Sequence, residues 1–111
     1  MKYKNFLMRY NGMKFKLARG YVFDPEGRIA LVRIYIDTED KPKGDYFLID
    51  IASGLFIIRN KSKNKLITDW ENRLLDLVPA IVKQRQTDTY FKRVIELNEE
   101  KRIWRNSGYE V

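Results

Sequence analysis

The sequence predicts an α+β domain: an antiparallel β-meander of about five strands over residues 4–60, then two helices, near 63–78 and 88–104, packed on one face of the sheet. Three observations predict it. Asn11-Gly12 lies between two stretches of alternating apolar residues, and a type I′ hairpin turn needs φ > 0 at both central positions, which this dipeptide supplies. The glycines fall at 12, 20, 27, 44, 54 and 108, spread along the chain in the manner of hairpin punctuation. After Ser62 the hydrophobic period changes from two to that of a helix.

The first strand is expected from Lys4 to Tyr10. Tyr3, Phe6, Leu7 and Tyr10 also fit a helical spacing, but a helix would leave Asn11-Gly12 only a capping role. A two-residue loop sets Tyr10 opposite Met13, Met8 opposite Phe15 and Phe6 opposite Leu17, all apolar and all on one side. The second strand runs from Met13 to Phe23, with Arg19 interrupting that side and Gly20 marking a bulge or bend. Asp24-Pro25-Glu26-Gly27 is a turn: Asp suits its first position, Pro fixes φ at the next, and Gly suits the last. The third strand, Arg28 to Asp37, then pairs Ala30 with Tyr21, Ile34 with Leu17 and Ile36 with Phe15. Ile29, Leu31, Arg33 and Tyr35 point the other way.

Thr38 to Gly44 reads as an exposed loop of mixed charge. Asp37, Glu39, Asp40 and Asp45 crowd it, but the twelve-residue calcium-loop pattern is absent and no metal is expected. Strands four (Asp45 to Ile51) and five (Leu55 to Asn60) meet at a Ser53-Gly54 turn, with Phe47, Ile49, Ile51, Phe56 and Ile58 on a common side. Ser62 caps the first helix, whose apolar face is Leu66, Ile67, Trp70, Leu74, Leu77, Val78 and Ile81. Pro79 should end or kink it near Leu77, or open a short continuation. The second helix starts at Asp88 as N-cap and carries Tyr90, Phe91, Val94, Ile95 and Leu97.

A chain of 111 residues is expected to form a single domain over its whole length, and no apolar run approaches the roughly 18 residues a membrane span requires. Cysteine is absent, which is compatible with a reducing compartment, and a cytoplasmic setting is expected. Histidine is also absent, and with it the commonest general base and metal ligand. Zinc sites of the Cys/His kind, serine-nucleophile motifs and phosphate-binding glycine loops all lack their residues. Asp45 and Asp50 lie at odd spacing on one strand, the wrong arrangement for a shared nuclease metal. The sequence is read as non-enzymatic and without cofactor.

Charge carries the functional expectation. The net charge is +7, and residues 1–35 hold eight Lys or Arg against two acids. A localised cationic excess is the footprint of an anionic partner, most often nucleic acid; small domains also carry it for solubility. The expected surface is the open sheet face, where Arg9, Lys14, Lys16, Arg33 and Arg59 would neutralise phosphates and Tyr35 would stack on a base or sugar. The order of elements over residues 13–78 is similar to that in the small arm-binding domains of some phage and transposon integrases, a likeness of element order that transfers no residue roles. The alternative is a protein-interaction or inhibitor module, homo-oligomeric or encoded by a mobile element, with Ile29, Leu31 and Ile57 as its patch or homodimer seam.

Overall fold

A computed structural model of the chain describes residues 2–11, 14–35 and 42–111. Five strands form one antiparallel sheet in sequence order: β1 (Lys4–Tyr10), β2 (Lys14–Val22), β3 (Ile29–Ile34), β4 (Lys43–Asp50) and β5 (Phe56–Asn60). Three helices follow, α1 (Lys63–Asn72), α2 (Leu74–Gln84) and α3 (Asp88–Asn106). The α+β class, the meander order and the helices gathered on one face are as the sequence predicts.

The registers differ from the expected ones by one residue. Tyr10 pairs with Lys14, Met8 with Lys16 and Phe6 with Ala18, so three residues rather than two separate β1 from β2. Asn11 takes the positive φ expected of it, 52°. The same shift recurs between β2 and β3, where Tyr21 faces Leu31 and Ala18 faces Ile34. A one-residue slip turns every side chain of a strand to the other face. Phe15, Leu17 and Tyr21 therefore share a side with Leu7, Ile29 and Leu31, not with Phe6 and Met8. In β5 the register shifts opposite Leu48 and Ile49, which puts Ile58 beside Leu48 and leaves Phe56 beside Ile49. The placement of Met13, the pairing of Ile36 with Phe15, and the acidic cluster at Asp37, Glu39 and Asp40 lie outside the described residues.

The physical reason is that both faces are covered, so alternation favours neither register. On one side Phe6, Met8, Ala18, Ala30, Val32, Ile34, Phe47 and Ile49 form a core built from strand residues alone. The sheet covers this side by curling on itself: the Arg9 N–H donates to the Gly54 carbonyl over 2.8 Å, tying β1 to the β4–β5 turn. A Cβ on Gly20 would stand 1.8 Å from the Leu31 carbonyl oxygen, so only glycine fits there.

The helices cover the other side in two groups. Leu66, Trp70, Leu77 and Ile81 from α1 and α2 pack on Tyr21, Ile29, Leu31, Leu48 and Ile58. Leu97 of α3 packs on Leu7 and Leu17, with Phe15, Tyr35 and Trp104 around it. The apolar patch expected at Ile29, Leu31 and Ile57 thus belongs to this core rather than to an open face: Ile29 and Leu31 are buried, and Ile57 is half-buried against them.

Ser62 caps α1 as expected, its hydroxyl accepting from the Lys65 N–H. The helical break falls at Arg73 (φ −113°, ψ 13°), not at Pro79, so there are three helices rather than two. Pro79 sits inside α2, where its missing N–H strips a partner only from the carbonyl of Leu75, a residue facing solvent. Thr87, not Asp88, caps α3, its hydroxyl accepting from the Tyr90 N–H. No helix among the described residues is long and apolar enough to cross a membrane.

Candidate nucleic-acid interface

The two helical groups leave a strip of the covered face open between them. Along β2, Leu17 lies under α3 and Tyr21 under α1; Arg19 stands between. On β3, Arg33 is its direct cross-strand partner. Like charges placed opposite each other on a sheet repel, at about 0.2–1 kcal/mol for such pairs. Neither guanidinium is bonded to a carboxylate among the described residues. Arg19 donates to Asn5 Oδ1 (3.2 Å), and Arg33 donates from Nε and Nη2 to the Gly44 carbonyl (3.3 and 3.2 Å).

Aromatic rings flank the two arginines. The Arg33 guanidinium lies 4.6 Å over the Tyr46 ring. Tyr3, 51% exposed, meets Tyr21 edge to face at 5.5 Å, and the Lys63 ammonium lies 5.1 Å over Tyr21. Together with Leu31 and Pro42 these residues line a cleft of about 320 Å³, with no acidic side chain among the described residues of its wall. A second hollow, of about 580 Å³, shares Tyr3 and Arg19 with the first and adds Lys2, Lys4, Lys101, Glu110 and Arg105, whose Nε donates to the Val111 main-chain oxygen over 2.9 Å. A third adjoins both, sharing Lys2 and Lys4 with one and Tyr21 with the other. The result is a continuous cationic tract around the outer end of β1 and β2. Burial pushes the Lys101 ammonium below the usual lysine range, and Arg105 and Lys4 add to the effect.

The cations expected to form one open face are divided between two. Lys14, Lys16 and Arg59 lie on the curled side; Lys16 stacks on Tyr10 at 4.7 Å, and Arg59 is held by Asp45 at 2.8 Å over Phe47. Arg33 lies on the helix-covered side in the open strip, and Tyr35 packs with Phe15 around Leu97. Arg9, expected on the surface, is 4% exposed. Its guanidinium donates to the Ser53 carbonyl (3.2 Å), the Arg93 carbonyl (3.0 Å) and Glu96 (2.9 Å), and it lies 4.6 Å over Phe15. The hydrogen bond from Arg9 holds the Glu96 carboxyl below the usual carboxylate range. Arg9 is a strut between β1, the β4–β5 turn and α3.

Of the expected set, only Arg33 belongs to the tract; Arg19, Lys2, Lys4, Tyr3, Tyr46, Lys63, Lys101 and Arg105 were not foreseen. One signal was legible, namely Arg19 breaking an otherwise apolar side of its strand.

The tract offers cations and ring faces. Asp50, the buried acid, is fully engaged by Arg85, Tyr90 and Ser53, away from the cleft. No group of acidic side chains able to hold a metal gathers among the described residues. No family model, curated protein or solved structure matches the chain, so the likeness in element order to arm-binding domains gains no further support.

Proposed function

We propose that this chain is a non-enzymatic nucleic-acid-binding domain of the cytoplasm, and that it takes a single-stranded polynucleotide along the tract from Lys4 through Arg19 to Arg33. The observation that carries this reading is the opposed pair Arg19 and Arg33, bonded to no carboxylate among the described residues, in a cleft whose described polar wall is cations and tyrosines. A repulsive pair placed in the one strip the helices leave open is relieved by a polyanion. Lysines and arginines spaced along adjoining hollows track a phosphate backbone, and their counterion release makes affinity salt-dependent. The exposed Tyr3 ring and the Arg33–Tyr46 stack offer platforms to unpaired bases, which favours single strands over duplex.

The test is fluorescence anisotropy with labelled oligothymidylate, oligouridylate and a duplex of equal length, over a salt series. Binding should weaken steeply with salt, favour the single strands, and drop by roughly 30-fold or more in Arg19→Ala/Arg33→Ala. An absence of binding at low salt, or equal affinity for wild type and the double variant, would overturn the reading.

A further inference from the structure

One transverse row of residues crosses the sheet at the open strip. Asn5, Arg19, Arg33 and Tyr46 are cross-strand neighbours in succession from β1 to β4. The two arginines at the middle of the row lean outward onto opposite flanks. Arg19 reaches to the Asn5 side chain, and Arg33 turns to the Gly44 carbonyl and stacks on Tyr46. Both acceptors are neutral, so neither positive charge is offset by them. The cleft opens here over Gly20, Leu31 and Val32, all buried.

Size and charge narrow what enters it. At about 320 Å³ the cleft is near the lower end of the range of about 300–1,000 Å³ for small-ligand sites, which is room for one nucleotide and not for a run of them. Inside a strand each phosphate carries one negative charge. A phosphate monoester at a strand end carries about −1.5 to −2 at pH 7 and offers three strong acceptor oxygens. Two guanidiniums and the Lys63 ammonium around one small cleft suit the monoester better than the diester. On the same face the next row, Tyr21 opposite Leu31, lies beside the arginines, so the Tyr21 and Tyr46 rings are at hand for the attached base or sugar. The rest of a strand has a way out: the cationic hollow of Lys2, Lys4, Lys101 and Arg105 shares Tyr3 and Arg19 with the cleft.

We propose that this cleft seats the terminal nucleotide of a single strand, with an end phosphate monoester held between Arg19 and Arg33. The inference rests on the nucleic-acid reading and narrows its ligand to strands that carry an end phosphate.

Anisotropy with internally labelled oligouridylates tests it, using strands with a 5′-phosphate, a 3′-phosphate or hydroxyls at both ends. One phosphorylated form should bind about tenfold more tightly than the hydroxyl form. Arg19→Ala and Arg33→Lys, the second keeping the charge but losing the planar fork, should each cut that ratio to about threefold or less. Between about pH 7 and pH 5 the advantage should fade, because the monoester regains its second proton near pH 6. Arg19, Arg33, Lys63, Tyr3, Tyr21 and Tyr46 are the titratable groups of the cleft wall among the described residues; none is a carboxylate or imidazole, and the chain has no histidine. A pH dependence in that range therefore belongs to the ligand. Uridine 5′-monophosphate should bind about tenfold or more weakly than the favoured strand, since it leaves the adjoining hollow unused. Equal affinity for the free nucleotide, or tighter binding of a phosphotyrosine peptide, overturns the proposal. Strands that bind equally with and without an end phosphate overturn it too and leave the nucleic-acid reading standing. Strands that fail to bind at low salt overturn both.

Discussion

Tyr90 donates its hydroxyl to Oδ2 of Asp50 over 2.9 Å, and that one carboxylate joins the sheet to two helices. Its Oδ1 accepts from Nε and Nη2 of Arg85 at 3.1 and 2.8 Å. Its Oδ2 also accepts from the Ser53 hydroxyl (2.6 Å) and the Ser53 N–H (3.1 Å). Asp50 ends β4, Arg85 follows α2 and Tyr90 lies in the first turn of α3. Removing one member of a buried ion pair leaves the other uncompensated, which costs about 3–5 kcal/mol. Asp50→Asn should therefore lower unfolding free energy by that order in urea titration. Tyr90→Phe, which leaves the ion pair in place, should cost about 1 kcal/mol.

The same contact predicts an alkaline limit to stability. Burial, followed by the hydrogen bond to Asp50, raises the Tyr90 phenol above its ordinary value of 10.0. A phenol that is harder to ionise when folded shifts the balance toward the unfolded state once the unfolded chain begins to lose its proton. Neutral Tyr90 therefore contributes its full share below the unfolded pKa, and that share is lost as pH rises through the folded one. Stability measured across the alkaline range should fall more steeply for wild type than for Tyr90→Phe. Phenolate absorbance should show one tyrosine ionising after the exposed ones.

Arg9 separates structural from binding roles among the cations. Arg9→Ala removes its bonds to Ser53, Arg93 and Glu96 and its stacking on Phe15, and should destabilise the fold by about 3 kcal/mol. Arg9→Met should recover part of that loss, because the apolar stem still packs and the buried Nη1, which has no hydrogen-bond partner, is no longer present. Neither change should alter the oligonucleotide affinity of the folded fraction. Chemical denaturation beside anisotropy on the same preparations checks both halves.

These residues also mark what the sequence could convey. Strand positions were legible because turn residues bound them: Asp24 Oδ1 accepts from the Arg28 and Ile29 N–H groups, and Gly27 and Gly54 take positive φ where the turns require it. Faces were not legible. With Phe6 and Met8 in one core and Leu7 in the other, alternation along β1 reads the same for either assignment. Arg9 reads as a surface residue for that reason: periodicity says which neighbours share a side, not what covers it. Pro79 suggested a break that is absent, whereas the real one, at Arg73, rests on backbone angles that no residue type there demands. The cleft depends on where α1 and α3 settle, and so on contacts far apart in sequence.

Gly20 lies where β2 and β3 come too close for a side chain. Gly20→Ala would drive a Cβ to 1.8 Å from the Leu31 carbonyl oxygen, and the atom in the way is backbone that cannot rotate aside. The strand pairing around Ala18, Gly20 and Val32 must then open. A loss of about 3 kcal/mol or more is expected, at the upper end of overpacking costs. Thermal unfolding followed by circular dichroism would show it, with Ala18→Gly, a milder change two residues away, as the comparison.

Lys101 tests whether the tract's charge is kept for a ligand at the expense of the fold. It is half-buried, and both burial and its neighbours Arg105 and Lys4 oppose its ionisation. A lysine whose folded pKa is depressed destabilises the protein at every pH below that pKa, where the fold must carry the charge, and the penalty is lifted as pH rises from there to the unfolded pKa. Lys101→Met keeps the apolar stem and drops the ammonium, so its melting temperature at neutral pH should equal or exceed that of wild type. Oligonucleotide affinity should fall by roughly 3- to 10-fold and the salt slope should shrink by close to one, as loss of a phosphate contact requires. A variant that gains stability and loses binding together identifies a charge held for its partner. One that loses stability instead would place Lys101 in the packing of α3 on β1 and take it out of the binding surface.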